Sequence, residues 1–293
     1  MRLLQLKTVL AADDLTATSE PALQVAAALR DGAGATLHLA HVAPPDIQMA
    51  AKGGIRAEFV ASMKAAAERA GVGGDYTTHV LTGSNAEAIA ELADRISADV
   101  IVTGRRGRAA LPMERALGGT AFAIITRSRV PCLAITEPLR LPLKRVLVAI
   151  NSSQASRGAL ITALLWTSAL RQPGGEPPAL TAIHVHSDDG TEERARWKRE
   201  VQHELDILKR AAGDWAGVDV NGTTLSADDP VKTIAAHAAS TKTDLVVVGT
   251  RADAGQDPKL GSVAAGLVGQ VKAAILLVPP AVWRNHARDM DYF

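Results

Sequence analysis

The sequence predicts an α/β protein built from two repeated, doubly wound domains, each with a five-stranded parallel sheet. Short runs of Val, Ile and Leu alternate with longer segments of helical periodicity, and the whole pattern occurs twice in 293 residues. Continuous apolar runs are typical of strands that are covered on both faces, as in parallel sheets flanked by helices. The length suits two domains of about 140 to 150 residues each.

The repeat is visible as matched residues at an almost constant offset. Upstream, we match Asp13 with Asn151, 138 positions later, and His41 with His184, 143 positions later. Four further positions match at a constant offset of 145. Gly83, Ile89, Asp99 and Gly104 correspond to Asp228, Ile234, Asp244 and Gly249. We therefore predict domains at residues 1–138 and 144–281, joined by 139–144.

The apolar runs give the strands in chain order. In the first half they are VLAA, LHLAHV, THVL, DVIVTG and PCLAIT, and in the second VLVAI, LTAIHVH, TTL, DLVVVG and AILLV. Ser19 followed by Pro21 predicts a capped helix after the first strand, and Ser153 predicts the matching helix start in the second half. Residues 191–212 carry an apolar stripe at helical spacing beneath a charged face, which predicts a long packed helix.

Composition narrows the possible partners and the compartment. The formal net charge of +1, with 22% charged residues, gives no overall attraction to nucleic acid or anionic lipid. No apolar run approaches the roughly 18 residues of a membrane span. The lone Cys132 cannot form an internal disulfide, and we expect it to be buried in its strand and the protein to be cytoplasmic. His184 and His186 share a strand face without a Cys or acidic partner at ligand spacing, so no metal site is predicted.

A glycine-rich segment follows the fourth strand of the first half. The chain reads GRRG from Gly104 to Gly107 and, after ten more residues, GGT from Gly118 to Thr120 at the head of a helix. In open α/β sheets, ligands bind beyond the carboxyl ends of the strands. Glycines allow close backbone approach and positive φ, and N–H groups at a helix start attract anions. This segment therefore predicts a phosphate site.

Three arginines, Arg105, Arg106 and Arg108, place cationic donors near the predicted phosphates. Exposed arginines beside loops are common, and we select Arg106 as the one that contacts the ligand. At the end of the first strand, Asp13 is suited to accept hydrogen bonds from a base amino group or a ribose hydroxyl. The combination of Asp13 with the glycine segment predicts a nucleotide site.

The ordered motifs resemble those of a tandem universal stress protein, and the resemblance runs from TVLAAD to LLVPP. It implies a Rossmann-like, adenine nucleotide alpha hydrolase-like fold with halves related by a pseudo-twofold axis. It also implies that Asp13 and the Val42 backbone hold adenine and ribose and that the glycine segment holds the phosphates of ATP with Mg. The predicted site comprises Ala11, Asp13, Val42, Thr103, Gly104, Arg106, Gly107, Gly118, Gly119 and Thr120. One extra residue precedes Gly118 relative to the family pattern, which leaves either Gly118 and Gly119 or Gly119 and Thr120 as the final pair.

The second half departs further from that pattern. Asn151 replaces the aspartate, Ala252 replaces the second glycine, and the segment before Gly261 and Ser262 is shorter. A left-handed alanine costs about 1 to 2 kcal/mol, and exchanging a charged acceptor for an amide costs on the order of 1 kcal/mol more. We expect an affinity roughly 30-fold to 100-fold lower. The sequence thus predicts one competent site in residues 1–138 and a degenerate one in residues 144–281.

Three functional hypotheses follow. The first is an ATP-binding stress-response sensor or adaptor, an intrachain pseudo-dimer able to associate further. The second is an interaction module whose first site is also inactive. The third is a slow ATPase or nucleotidyl-transfer enzyme, although neither a P-loop nor a complete GxGxxG motif is present and no general base is evident beside the glycines. We therefore expect slow or absent turnover.

Overall fold

The computed structural model describes residues 6–44, 54–105, 119–151, 153–171, 175–187, 191–211, 218–250 and 260–282. In both halves, strands and helices alternate as the apolar runs predict. The elements of the first half are β1 (Thr8–Ala12), α1 (Glu20–Ala33), β2 (Thr36–Val42), α2 (Gly54–Arg69), β3 (Thr77–Leu81), α3 (Asn85–Arg95), β4 (Val100–Gly104), α4 (Gly119–Arg127) and β5 (Cys132–Ile135). Those of the second half are β6 (Arg145–Ala149), α5 (Gln154–Ala169), β7 (Ala179–His186), α6 (Thr191–Ala211), β8 (Asp219–Ser226), α7 (Pro230–Ser240), β9 (Leu245–Gly249), α8 (Ser262–Gln270) and β10 (Ala274–Val278).

The two halves share a single ten-stranded sheet with the order β3-β2-β1-β4-β5-β10-β9-β6-β7-β8. Strands within each half run parallel, and the halves meet where β5 and β10 pair antiparallel. Leu133 pairs there with Leu276, its equivalent in the other half, so the predicted pseudo-twofold axis passes through this junction. The predicted parallel five-stranded sheets are therefore confirmed, whereas their fusion edge to edge was not predicted.

Helices cover both faces of the sheet. One buried apolar cluster packs α1, α2 and α5 against the sheet, and the other packs α3, α4, α7 and α8 against the opposite face. Each cluster contains residues of both halves, so the core is continuous across the β5–β10 junction. The connection predicted at 139–144 also joins this core, because Leu139 and Leu143 are buried within it. It is a packed segment of the structure.

Helix α5 begins as its sequence predicts. The hydroxyl oxygen of Ser153 accepts a hydrogen bond from the backbone N–H of Ser156, which satisfies a donor left free at the helix start. At α1, Pro21 occupies the first turn as predicted. Ser19 precedes that helix but makes no side-chain capping bond. The Ser19 hydroxyl instead donates a hydrogen bond to the Asp13 carboxylate.

Strand order reverses once in each half, and this creates the crevices. In the first half β1 lies between β2 and β4, and the chain leaves β1 towards one face of the sheet and β4 towards the other. In the second half β6 lies in the same way between β7 and β9. The carboxyl ends of β1 and β4, and of β6 and β9, are the positions where open α/β sheets bind ligands.

Candidate functional site

The first-half crevice gathers the described members of the predicted site at one edge of the sheet. Asp13 follows β1, and Thr103 and Gly104 end β4, whose Thr103 pairs with Ala12 of β1. Val42 ends β2 on the other side of β1. Ala11 lies in β1 and is fully buried in the core, so its side chain faces apolar neighbours.

The remaining predicted residues lie in or beside the glycine segment. Arg106, Gly107 and Gly118 lie outside the described residues. Gly119 and Thr120 are the first residues of α4. Their backbone therefore begins a helix, as predicted for the end of a phosphate-binding segment.

Asp13 is buried, with 4% of its surface exposed. Its Oδ1 accepts hydrogen bonds from the Leu15 backbone N–H at 2.8 Å and from the Ser19 hydroxyl at 2.5 Å. Its Oδ2 is also buried but has no hydrogen-bond partner among the described residues. A buried carboxylate oxygen without a partner carries a desolvation penalty, and such groups in native structures call for an explanation. A donor supplied by a ligand would satisfy it.

Ser19 has a different role from the cap that its sequence position predicts. The residue has helical backbone angles, and its hydroxyl donates to the Asp13 carboxylate and also lies 2.8 Å from the Thr16 carbonyl. A capping hydroxyl accepts from the first N–H groups of its helix, whereas the Ser19 hydroxyl donates to the Asp13 carboxylate and makes no capping bond. Ser19 therefore fixes the rotamer of Asp13, which the cap pattern alone could not indicate.

Gly104, at the end of β4, packs closely against the backbone just before α1. The described glycines with positive φ do not include it. A Cβ atom on Gly104 would lie 3.1 Å from the Thr18 carbonyl oxygen, just before α1. The missing side chain lets the residues before α1 approach the end of β4 closely.

Arg105 was expected to be a possible phosphate donor, and the structure places its guanidinium in the interface between the halves. Nη1 donates to the Val268 carbonyl at 2.6 Å, and Nη2 donates to the Val271 and Ala273 carbonyls at 2.9 and 3.0 Å. The Nε group donates to the Thr136 hydroxyl at 2.9 Å. Burial lowers the pKa of Arg105 to about 10, which leaves it charged at neutral pH. Carbonyls at a helix end attract cations, so Arg105 holds the end of α8 instead of a ligand.

The second-half crevice contains a cavity of about 150 Å³ at the ends of β6, β7 and β9. Asn151 lies at its rim and is exposed; its Oδ1 accepts from the Ser153 N–H at 2.9 Å and from the Ser156 hydroxyl at 2.7 Å. Gly249 packs so tightly that a Cβ atom there would lie 2.5 Å from the Ala155 backbone. The cavity lining is largely apolar, its polar side chains are those of Asn151, His184 and three serines, and it includes no carboxylate of the kind that the first half buries.

The strand register corrects the match between Asp13 and Asn151. Val9 pairs with Val100 in the first half, and Val146 pairs with Leu245, the equivalent of Val100, in the second. Val146 is therefore the equivalent of Val9, and the offset between the first strands of the two halves is 137 positions. Ile150 therefore occupies the backbone place of Asp13. Both strands end at equivalent residues, Ala12 and Ala149, but the turn closed by the side chain begins at Asp13 in the first half and one place later, at Asn151, in the second.

The described residues contain neither a metal-binding cluster nor a membrane-spanning helix. Within those ranges, no group of three or more His, Cys, Asp or Glu side chains could hold a metal ion. In the same part of the chain, no helix is both long enough and apolar enough to cross a membrane.

Comparison with known proteins identifies the family. The model of the universal stress protein family matches twice, at residues 5–136 and 142–279. The chain belongs to the universal stress protein family. The two matches cover both halves, in agreement with the tandem repeat seen in the sequence.

Solved structures similar over almost the whole chain share this fold. A universal stress protein from Archaeoglobus fulgidus DSM 4304 is 20% identical, with 94% of this chain and 97% of that chain covered and a TM-score of 0.67. A functionally unknown protein from Pseudomonas aeruginosa PAO1 is 14% identical, with 97% and 96% covered and a TM-score of 0.60. A universal stress protein in complex with cAMP is 25% identical over 43% of this chain and 93% of its own, with a TM-score of 0.34. No curated protein matches the chain.

Proposed function

We propose that the first half, residues 1–138, binds an adenine nucleotide, ATP, and that the protein acts as a cytoplasmic stress-response sensor or adaptor rather than as a fast enzyme. The observation that carries the proposal is the buried Asp13 carboxylate, whose Oδ2 has no partner among the described residues. Its Oδ1 is already held by Leu15 and Ser19, so Oδ2 is the atom that remains for a ligand. The exocyclic amino group of adenine and the ribose hydroxyls are donors of the required kind.

The position of Asp13 supports the same ligand. It lies beside the switch point between β1 and β4, and α4 begins at Gly119 on the far side of the glycine segment. A base and ribose near Asp13 and Val42 would direct the phosphates towards Gly104, Arg106, Gly107, Gly118, Gly119 and Thr120. Backbone N–H groups at the start of α4 would then face negative charge, which favours binding. Mg²⁺ would enter on the phosphates of ATP.

The second half, residues 144–281, is proposed to be the weaker site. Ile150 stands in the backbone place of Asp13, and the neighbouring Asn151 is exposed and neutral. A hydrogen bond to a charged group contributes about 1.5 to 3 kcal/mol and one between neutral groups about half as much. ATP would accordingly bind one site per chain much more tightly than the other.

Isothermal titration calorimetry with ATP, with and without Mg²⁺, tests this proposal. We expect one dominant site per chain, and Asp13→Ala to weaken it at least tenfold. The matched control is Asp14→Asn, because Asp14 is exposed and its carboxylate bonds only within its own turn, to Thr16, among the described residues. Two equal sites, or an Asp13→Ala protein that binds like the wild type, would contradict the proposal.

Turnover is tested separately by phosphate release from ATP. Because the proposed role is binding, release should stay at the level of the Asp13→Ala protein. Steady release that depends on Asp13 would favour a slow ATPase. Failure of the wild-type protein to bind any adenine nucleotide would favour an interaction module.

A further inference from the structure

His41, near the end of β2, is attached to the backbone of Asp13. The histidine is buried, and its Nδ1 lies 2.9 Å from the Asp13 carbonyl oxygen. A carbonyl only accepts hydrogen bonds, so Nδ1 must carry the proton and donate it. The imidazole also stacks on Phe59 of α2, with ring centroids 5.1 Å apart and planes inclined by 28°. The ring is therefore fixed both by its hydrogen bond and by packing.

This contact completes the support around Asp13. The Asp13 backbone N–H donates to the Ala40 carbonyl at 2.9 Å, its carbonyl accepts from His41, and its Oδ1 accepts from Leu15 and Ser19. Among the described residues, Oδ2 is thus the only polar atom of Asp13 without a partner. A peptide held on both sides cannot rotate freely, so the direction of the carboxylate is set before any ligand arrives.

The second half contains the same support without the acid. His184 Nδ1 lies 2.9 Å from the Ile150 carbonyl, and the Ile150 N–H donates to Ile183 at 2.9 Å. The His184 ring stacks on Trp197 with centroids 3.7 Å apart. Here the supported residue has an apolar side chain. The second half is therefore an internal control for a histidine that supports the turn without orienting a carboxylate.

We propose that His41 is a positioning residue that orients the Asp13 carboxylate for its ligand through the Nδ1 hydrogen bond to the Asp13 carbonyl. This proposal rests on the proposed function for the identity of the ligand. The role of His41 itself is separable, because it can be measured on the Asp13 turn without any nucleotide.

Four variants separate the hydrogen bond from the packing. His41→Phe keeps a stacking ring and removes the donor. His41→Asn places an amide N–H close to the position of Nδ1, whereas His41→Gln places its amide near the position of Nε2, out of reach of the Asp13 carbonyl. His184→Phe makes the same change as His41→Phe in the second half. ATP affinity by calorimetry and thermal unfolding are measured for each protein.

We expect His41→Phe and His41→Gln to bind ATP about tenfold more weakly and His41→Asn to bind within about twofold of the wild type. His41→Phe and His184→Phe should lower the midpoint of thermal unfolding to a similar extent, but His184→Phe should leave ATP affinity unchanged. Wild-type affinity in His41→Phe, or equal losses in His41→Asn and His41→Gln, would overturn the proposal. If His41→Phe does not fold, the difference in ATP affinity between His41→Asn and His41→Gln decides whether His41 positions Asp13.

Amide hydrogen exchange at Leu15 provides the readout without nucleotide. The Leu15 N–H donates to Asp13 Oδ1, so its exchange reports whether the carboxylate is held. His41→Phe and His41→Gln should speed this exchange at least tenfold, and His41→Asn should not. If the wild type binds no ATP, the proposed function is overturned while this exchange still decides the role of His41. Unchanged exchange at Leu15 in both His41→Phe and His41→Gln would overturn the positioning role.

Discussion

The Arg105 guanidinium in the first half donates a hydrogen bond to the Val268 carbonyl oxygen in the second half over 2.6 Å. Two more carbonyls, of Val271 and Ala273, accept from the same side chain. In the second half, Thr250 follows β9 as Arg105 follows β4, and its hydroxyl lies 3.5 Å from the carbonyl of Val278 in its own half. The contact between the halves is therefore asymmetric at this point, although the sheet is close to twofold symmetric.

Arg105→Met should lower the free energy of unfolding by about 3 kcal/mol, because it leaves several buried carbonyls without their charged donor. Urea unfolding provides the measurement. Arg129→Met is the control, since Arg129 is exposed just after α4. Equal stability of the two variants would show that Arg105 does not hold the halves together.

Alanine at the two equivalent strand-end glycines should have unequal effects. A Cβ atom on Gly249 would lie 2.5 Å from backbone atoms of Ala155, whereas one on Gly104 would lie 3.1 Å from the Thr18 carbonyl oxygen. Overpacking costs typically about 1 to 3 kcal/mol, and backbone atoms cannot move aside as a side chain can. We expect Gly249→Ala to lose more stability in urea than Gly104→Ala. The reverse order would mean that α5 can shift away from β9 more easily than α1 can shift from β4.

The His38–His79 pair should make stability fall at mildly acidic pH. Nδ1 of His38 lies 2.9 Å from Nε2 of His79. Burial lowers the pKa of His38, and the pKa of His79 is lowered by burial and then by His38, Arg95 and Arg56. Because both folded pKa values lie below the ordinary 6.5, the unfolded chain takes up protons first as the pH falls.

The contribution of this pair to the free energy of unfolding should therefore be fully present above about pH 6.5. It should decrease as the pH drops through the lowered pKa values of the two histidines in the folded protein. Urea unfolding between pH 8 and pH 5 measures this. The double variant His38→Gln, His79→Gln should show a flatter pH dependence, and the exposed His203→Gln should follow the wild type. A double variant with the wild-type slope would rule out this pair as the cause.

Cys132 should resist thiol reagents until the β5–β10 junction opens. It is buried in β5 as the sequence predicts, and burial raises the pKa of its thiol to about 12. The thiolate is the reactive form, so native protein at pH 8 should be alkylated far more slowly than protein in urea. Mass spectrometry after timed iodoacetamide treatment gives both rates. Rapid labelling of the native protein would indicate that the junction opens often.

The sequence predicts the fold well because the strands are short, continuous apolar runs, and such runs are a local signal. The carboxyl ends of parallel strands share one edge, so Asp13 and Gly104 could be brought together from their strand positions alone. Val42 reaches the same edge for the same reason. The family pattern points to the segment between β4 and α4, much of which lies outside the described residues.

The remaining features depend on distant contacts. Arg105 binds carbonyls 163 to 168 positions away, and its neighbours in the sequence favoured a phosphate role. Ser19 has the sequence position of a helix cap, but its hydroxyl donates to the buried Asp13 carboxylate and makes no capping bond. His41 was visible only as a repeated residue, and nothing local showed that its ring would reach the Asp13 carbonyl.

The pairing of β5 with β10 has a consequence for both halves. All described residues of these two strands are buried, and each strand covers the edge of the other half's sheet. Separating the halves would expose an apolar strand edge, which is a common starting point for aggregation. A change in one crevice leaves this mutual need for a covered edge untouched, because the strands that meet at the junction lie apart from the ends of β1 and β6.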